Sequence, residues 1–288
     1  MKSYLDCFPC FCRQTLEAVR FVTDDPAMHE RALRGVLKAA SEMNLQSTPP
    51  EMGRYIHNLV RKLSGNADPY EKVKAEYNAA ALALYPKLKE AVREAKDPLE
   101  TAVRLAIAGN IIDFGATPGL QQASVWKVVD EALTQPLPGC GIPAFRAAVE
   151  RAERILYLGD NAGEIVFDRL LVEELGTEKT IFAVRGRPIV NDATMADAAA
   201  VGMTEVVRVI TNGSDVPGTL LEECSPEFRD EFARADLVIS KGQGNYETLS
   251  EVPQRIFFLL MIKCEIIARD IGFQPGSMVL ARRGTRTA

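Results

Sequence analysis

Three polar clusters in the second half of the chain each follow a short apolar run. Gly159-Asp160-Asn161-Ala162-Gly163-Glu164 follows Ile155–Leu158. Arg185-Gly186-Arg187-Pro188, leading to Asn191-Asp192-Ala193-Thr194, follows Thr180–Val184. Lys241-Gly242-Gln243-Gly244-Asn245-Tyr246-Glu247 follows Leu237–Ser240. Asp160, Asn161 and Asp192 offer hard oxygen ligands suited to a divalent cation, with no thiol or imidazole among them. Lys241 and Arg185 are fixed positive charges suited to phosphate oxygens. Gly242 and Gly244 allow backbone N–H groups close to an anion as the chain turns into a helix. A cation beside phosphate-binding donors points to phosphoryl chemistry, in which positioning and electrostatics supply most of the acceleration.

Each cluster also has a purely structural use. Asp160-Asn161 suits the cap of a helix beginning at Gly163, Asn191-Asp192 suits the cap of the Ala-rich helix that follows, and glycines are common where strands turn into helices. Their joint placement carries the functional reading: ligands of open α/β sheets bind beyond the carboxyl ends of the strands, and all three clusters occupy such ends. Rival sites fit worse. A dinucleotide site wants GxGxxG after the first strand and an acid after the second, where this chain has Gly159 and Gly163 alone and then Arg185. A methyltransferase wants the same acid. A Walker loop needs Gly-Lys-Ser/Thr, and an aspartyl-phosphate enzyme needs an acid where Ala162 stands.

Two more segments carry chemical residue types. Asn110 and Asp113 lie one turn apart near a helix end, on one face. Cys7, Cys10 and Cys12 form a CxxC with an extra thiol, but no second CxxC completes a zinc ribbon and no strand precedes it. The two histidines, His29 and His57, lie early, so an HExxH zinc site, or a Ser-His-Asp triad in the second half, is excluded.

The elements that must position these residues change character along the chain. Up to about residue 140 the pattern is helical. Asp25-Pro26, Thr48-Pro49, Asp68-Pro69 and Asp97-Pro98 each set a capping side chain before a proline, and Thr48 has Glu51 at capping-box spacing. Pro86 predicts a kink or break in the pattern from Pro69 to Ala95. From about 150, short strands alternate with helices; beyond the three runs above, Glu205–Ile210, Ile256–Met261 and Ser277–Leu280 read as strands, although Ile256–Met261 equally suits a buried helix. The expected architecture is an all-helical domain at 1–140 followed by a three-layer α/β/α domain at 141–288, with a mostly parallel sheet. The 288 residues carry 34 Lys and Arg against 39 Asp and Glu, a net charge of −5 that argues against a nucleic-acid partner. The longest apolar run, Ile256–Ile262, is too short to span a membrane, and the N-terminus lacks an apolar leader, so a cytoplasmic location is expected.

The motifs around Asp160-Asn161-Ala162-Gly163-Glu164, Arg185 to Thr194, Lys241 to Glu247 and Asn110-Ile111-Ile112-Asp113 together resemble the metal-dependent damage-control phosphatases, over nearly the whole chain. Cys7-x-x-Cys10 is similar to the prokaryotic and archaeal branch. The resemblance implies manganese, cobalt, nickel or magnesium held by Asp160, Asn161 and Asp192. It implies that Lys241, Asn110 and Asp113 line the same pocket, and it nominates Glu164 and Asn245, with Arg185, Gly242 and Gly244, for substrate contacts. The expected activity is hydrolysis of small phosphorylated metabolites such as sugar phosphates, with Asp160, Asp192 and Lys241 catalytic. The alternatives are a non-catalytic phosphometabolite-binding protein and a carboxyl methyltransferase.

Overall fold

The computed structural model describes residues 1–110 and 122–282. Helices α1 (Cys7–Val22), α2 (Pro26–Glu42) and α3 (Pro49–Ser64) close a small core of their own around Phe11, Val19, Val36, Ile56 and Val60. Their caps form where the sequence sets them. Asp25 accepts from Ala27 N–H at 2.9 Å, and Thr48 and Glu51 make a capping box. The next four helices are α4 (Glu71–Glu94), α5 (Pro98–Ala108), α6 (Gln122–Thr134) and α7 (Ile142–Arg151). Asp97 caps α5, accepting from Glu100 N–H at 3.0 Å.

α4 differs from expectation at two points. It begins at Glu71 instead of Pro69: Asp68 accepts from Tyr70 N–H at 3.1 Å in a turn ahead of the helix and pairs with the Lys74 ammonium at 2.8 Å. It also runs through Pro86 without a break. Leu84, Leu88 and Val92 are buried in the main core on either side of it; at about 1.5–3 kcal/mol per buried side chain their burial outweighs the ~3 kcal/mol that an internal proline costs a helix.

The remaining elements alternate: β1 (Ile155–Leu158), α8 (Glu164–Leu175), β2 (Thr180–Val184), α9 (Met195–Ala200), β3 (Arg208–Thr211), α10 (Pro226–Arg234), β4 (Leu237–Lys241), α11 (Gly242–Leu249), β5 (Ile256–Met261), α12 (Glu265–Ile271) and β6 (Met278–Arg282). The six strands lie in the order β3-β2-β1-β4-β5-β6, parallel throughout except for the antiparallel β5–β6 pair. β1, β2 and β5 have the expected bounds, which settles Ile256–Met261 as a strand. β3 starts later than Glu205 because a single tight turn, Met203–Glu205, comes first.

Strand parity builds the layers. Ile155, Tyr157, Phe182, Leu237, Ile239 and Phe257 face one core, which they share with α4, α5, α7 and α8. Leu156, Leu158, Val238, Phe258 and Leu260 face the other, under Phe228, Tyr246 and Ile267 of α10, α11 and α12. The change of pattern near residue 140 is therefore not a break in packing: α4 to α7 belong to the same core as the sheet, and only α1–α3 are packed separately. The strand order reverses at β1, opening a crevice at the carboxyl ends of β1 and β4. Among the described residues no helix is long and apolar enough to cross a membrane.

Candidate active site

The corner after β1 is stitched to the corner after β2. Asn161 and Asp192 form an isolated antiparallel bridge, Ala193 N–H donates to Asp160 C=O at 2.8 Å, and Ala162 N–H donates to Asn191 C=O at 2.9 Å. Neither acid is spent on a cap. Gly163 occupies the cap position of α8, and α9 is capped by Thr194 in a capping box with Asp197. Asp160 and Asp192 are thus brought together by backbone pairing, with their carboxylates left to Arg185. That guanidinium donates from Nε to Asp192 Oδ2 at 2.6 Å and from Nη2 to Asp160 Oδ1 at 3.4 Å. Its Nη1 reaches Asn245 Oδ1 at 3.1 Å and Thr219 Oγ1 at 3.3 Å.

Asn110, just past the end of α5, donates from Nδ2 to Glu164 Oε2 at 2.7 Å and to Asp160 Oδ2 at 3.3 Å. Asn161 Nδ2 donates to the same two carboxylates, each at 2.9 Å. Asn110 Oδ1 is buried with no partner among the described residues. Burial, followed by the negative charges of Asp192 and Glu164, pushes the Asp160 carboxyl well above the usual range. Burial also raises Asp192, against the pull of Arg185. The two acids, with the Asn161 amide beside them, are an oxygen-rich set short of positive charge, which fits a hard divalent cation. Among the described residues no group of three His, Cys, Asp or Glu side chains forms a metal set; Asp160 and Asp192 supply two carboxylates, and Asn161 stands beside them with its Nδ2 on Asp160.

These residues open on a cavity of about 420 Å³ between the α1–α3 bundle and the carboxyl rim of the sheet. Asn110, Asp160, Asn161, Asp192 and Gly244 line the rim side; Phe11, Pro50 and His57 line the bundle side. Of the other expected site residues, Glu164, Arg185, Lys241, Gly242 and Asn245 do not line it, and Asp113 lies outside the described residues. Lys241 differs most from expectation. It is 0% exposed, and its ammonium donates to Ala106 C=O and Glu164 Oε1, each at 2.7 Å, and to Asp168 Oδ1. Burial acts to lower the Lys241 pKa, but Asp168 and Glu164 raise it. Burial likewise acts to raise Glu164, which Lys241, Asn110 and Asn161 hold below its ordinary value. Lys241 therefore neutralises a buried carboxylate under the site instead of facing a substrate. Gly242 serves close packing: a Cβ there would lie 1.9 Å from Asp160 Oδ2. Asn245, fully buried, braces Arg185 and donates to Gly159 C=O at 3.3 Å.

The cation that does line the cavity is Lys263, the single Lys or Arg among its described lining residues. It follows β5, is exposed, and its Nζ donates to Asn110 C=O at 3.1 Å. Its charge acts, after that of Arg185, against the upward shift of Asp160. The strand-end rule applied to the fifth apolar run would have found it. Cys7, Cys10 and Cys264 line the cavity as well, whereas Cys12 does not. All are free thiols, and burial raises the Cys7 and Cys264 pKa values, which disfavours the reactive thiolate.

Residues 3–279 match the damage-control phosphatase ARMT1-like domain. The chain belongs to this family. It is 36% identical to the damage-control phosphatase PH1575 of Pyrococcus horikoshii, over 98% of each chain. It is also 36% identical to a damage-control phosphatase of Archaeoglobus fulgidus, over 95% of this chain and 96% of that one. An uncharacterised protein of Methanocaldococcus jannaschii, MJ0202, is 38% identical over 96% of this chain and 94% of its own. The crystal structure of PH1575, a DUF89 family protein, superposes with a TM-score of 0.90 at 35% identity, covering 98% of this chain and 99% of that one. Membership of the damage-control phosphatase family supports a phosphatase role in metabolite damage control, and the fold agrees over nearly its whole length.

Proposed function

We propose that this damage-control phosphatase is a divalent-metal-dependent phosphomonoester hydrolase that acts on small phosphorylated metabolites such as sugar phosphates. The observation that supports this best is the Asp160–Asn161–Asp192 set, stapled by its own backbone bridge at the mouth of a cavity whose one described lining cation is Lys263. Manganese, cobalt, nickel or magnesium held by Asp160, Asn161 and Asp192 would supply Lewis-acid polarisation of the phosphoryl group and lower the pKa of a bound water.

The chain's own groups do the rest. Lys263 offsets negative charge on the phosphoryl oxygens from the open side of the cavity. Arg185 orients both carboxylates and holds them towards the ionised, ligating form, so its part is indirect. Asn110 and Asn161 share Asp160 and Glu164 between them, which keeps the amides in fixed orientations. Lys241 keeps Glu164 charged without exposing either to solvent. A volume near 420 Å³ suits a monosaccharide phosphate in size.

The test is phosphate release by the full chain with manganese across a phosphosugar panel, with Asp192→Ala as control. Release well above the control is expected, and none above it would overturn the assignment. Ligand-induced thermal stabilisation without turnover would favour the non-catalytic binding protein instead.

A further inference from the structure

We propose that Asn78, on α4 and outside the cavity, is a positioning residue that clamps the two metal-binding corners into one unit; this rests on the metal-dependent hydrolase reading above. Its side chain is 3% exposed and uses both ends of the amide. Oδ1 accepts from Gly163 N–H at 2.7 Å, between Asn161 and Glu164 in the corner after β1. Nδ2 donates to Asp197 Oδ1 at 2.9 Å, in the first turn of α9, the helix that closes the corner after β2. The other Asp197 oxygen accepts from Thr194 N–H at 2.9 Å and from Thr194 Oγ1 at 2.7 Å, two residues beyond Asp192.

One amide therefore spans both corners that carry the candidate ligands. Lys74, one turn earlier on α4, stands 3.5 Å from Asp197 Oδ2 and offsets its charge. Gly163 adopts φ +78°, a conformation that other residues rarely hold, and its N–H would lose this side-chain acceptor if Asn78 were lost. The bond is thus a constraint on the direction in which the chain leaves Asn161. The main core fixes α4 independently through Leu84, Leu88 and Val92, so Asn78 transmits a rigid frame to corners that are otherwise loops.

The test uses the full chain, p-nitrophenyl phosphate with manganese, and manganese alone by calorimetry. Asn78→Ala is compared with Leu84→Ala, a core truncation six residues further along the same helix with no polar group to bond either corner. Asn78→Ala is expected to lower kcat at least 10-fold, to change KM less than 3-fold, and to weaken manganese binding at least 5-fold. Leu84→Ala, although destabilised, should keep kcat and manganese affinity within 2-fold of wild type. Equal losses in both variants, or wild-type kcat and manganese affinity in Asn78→Ala, would overturn the proposal. If Asn78→Ala does not fold, Asn78→Ser takes its place under the same criteria. A wild-type protein that binds manganese but hydrolyses nothing would sink the hydrolase reading, while calorimetry would still judge Asn78.

Discussion

Asn161 and Asp192 face each other across an isolated antiparallel bridge, although the strands they follow, β1 and β2, run parallel. The chain reverses between Arg185 and Asp192, so the second corner folds back onto the first. Two acids from separate corners are thereby held at one place by main chain, before any ligand is considered.

The electrostatic strain at Asp160 gives a stability prediction with a definite sign. Its folded pKa is raised by burial and by Asp192 and Glu164. Above the unfolded value of about 3.9 the native state holds the proton that the unfolded state has lost, so stability falls as pH rises. Asp160→Asn should therefore lower phosphatase activity at least ~100-fold while leaving the chelator-treated protein at pH 8 as stable as wild type or more so. A melting temperature several degrees lower at pH 8 would contradict this account.

Gly242 is predicted to be intolerant of a single methyl group. Its φ is +76°, and the added carbon would stand 1.9 Å from the Asp160 carboxylate. Gly242→Ala should cost about 1–3 kcal/mol of stability from backbone strain and displace Asp160, with a large loss of kcat. Wild-type kinetics in this variant would show that Asp160 is not held where the structure puts it.

Lys263→Ala should lower kcat/KM about 10–100-fold, because it removes the one described cation lining the cavity. As the side chain is exposed, the melting temperature should stay close to wild type. Lys263→Arg should recover part of the activity. A full-length comparison of the three proteins on the same phosphate ester separates these outcomes; no loss in Lys263→Ala would remove Lys263 from the site.

His57 lines the bundle side of the cavity and is buried in its neutral form. Burial, with Arg61 nearby, lowers its pKa to about 4. The unfolded imidazole gains a proton near 6.5 and the folded one does not, so stability is complete above that pH and is lost as pH falls towards 4. By linkage this contributes about 2 kcal/mol of destabilisation at pH 5. Urea titrations at pH 7 and pH 5 should show a smaller pH-dependent loss for His57→Gln than for wild type; equal losses would exclude His57 as the cause.

Much of the frame could be read from residue order. The bounds of β1, β2 and β5, the caps at Asp25, Thr48 and Asp97, and the mostly parallel sheet follow from local rules, because apolar periodicity and capping chemistry act over a few residues. So did the placement of Asp160, Asn161 and Asp192 at strand ends, since the rim of a parallel sheet is defined once its strands are.

What only tertiary structure decided was where the side chains at those strand ends point. Lys241 continues the parity of Leu237 and Ile239, so it turns under α8 into the core instead of over the rim. Which helix covers that face is not a local property, and nothing near position 241 states that Glu164 and Asp168 will stand opposite it. Asn191-Asp192 suits a cap, but Thr194 with Asp197 caps α9, so the Asp192 backbone pairs with Asn161 and its carboxylate with Arg185. The residues available for chemistry were set by the order of the chain; their division between cavity and supporting core was set by long-range packing, which brings Asn110 after α5 and Lys263 after β5 to one cavity and leaves Asn78 of α4 to brace it from outside.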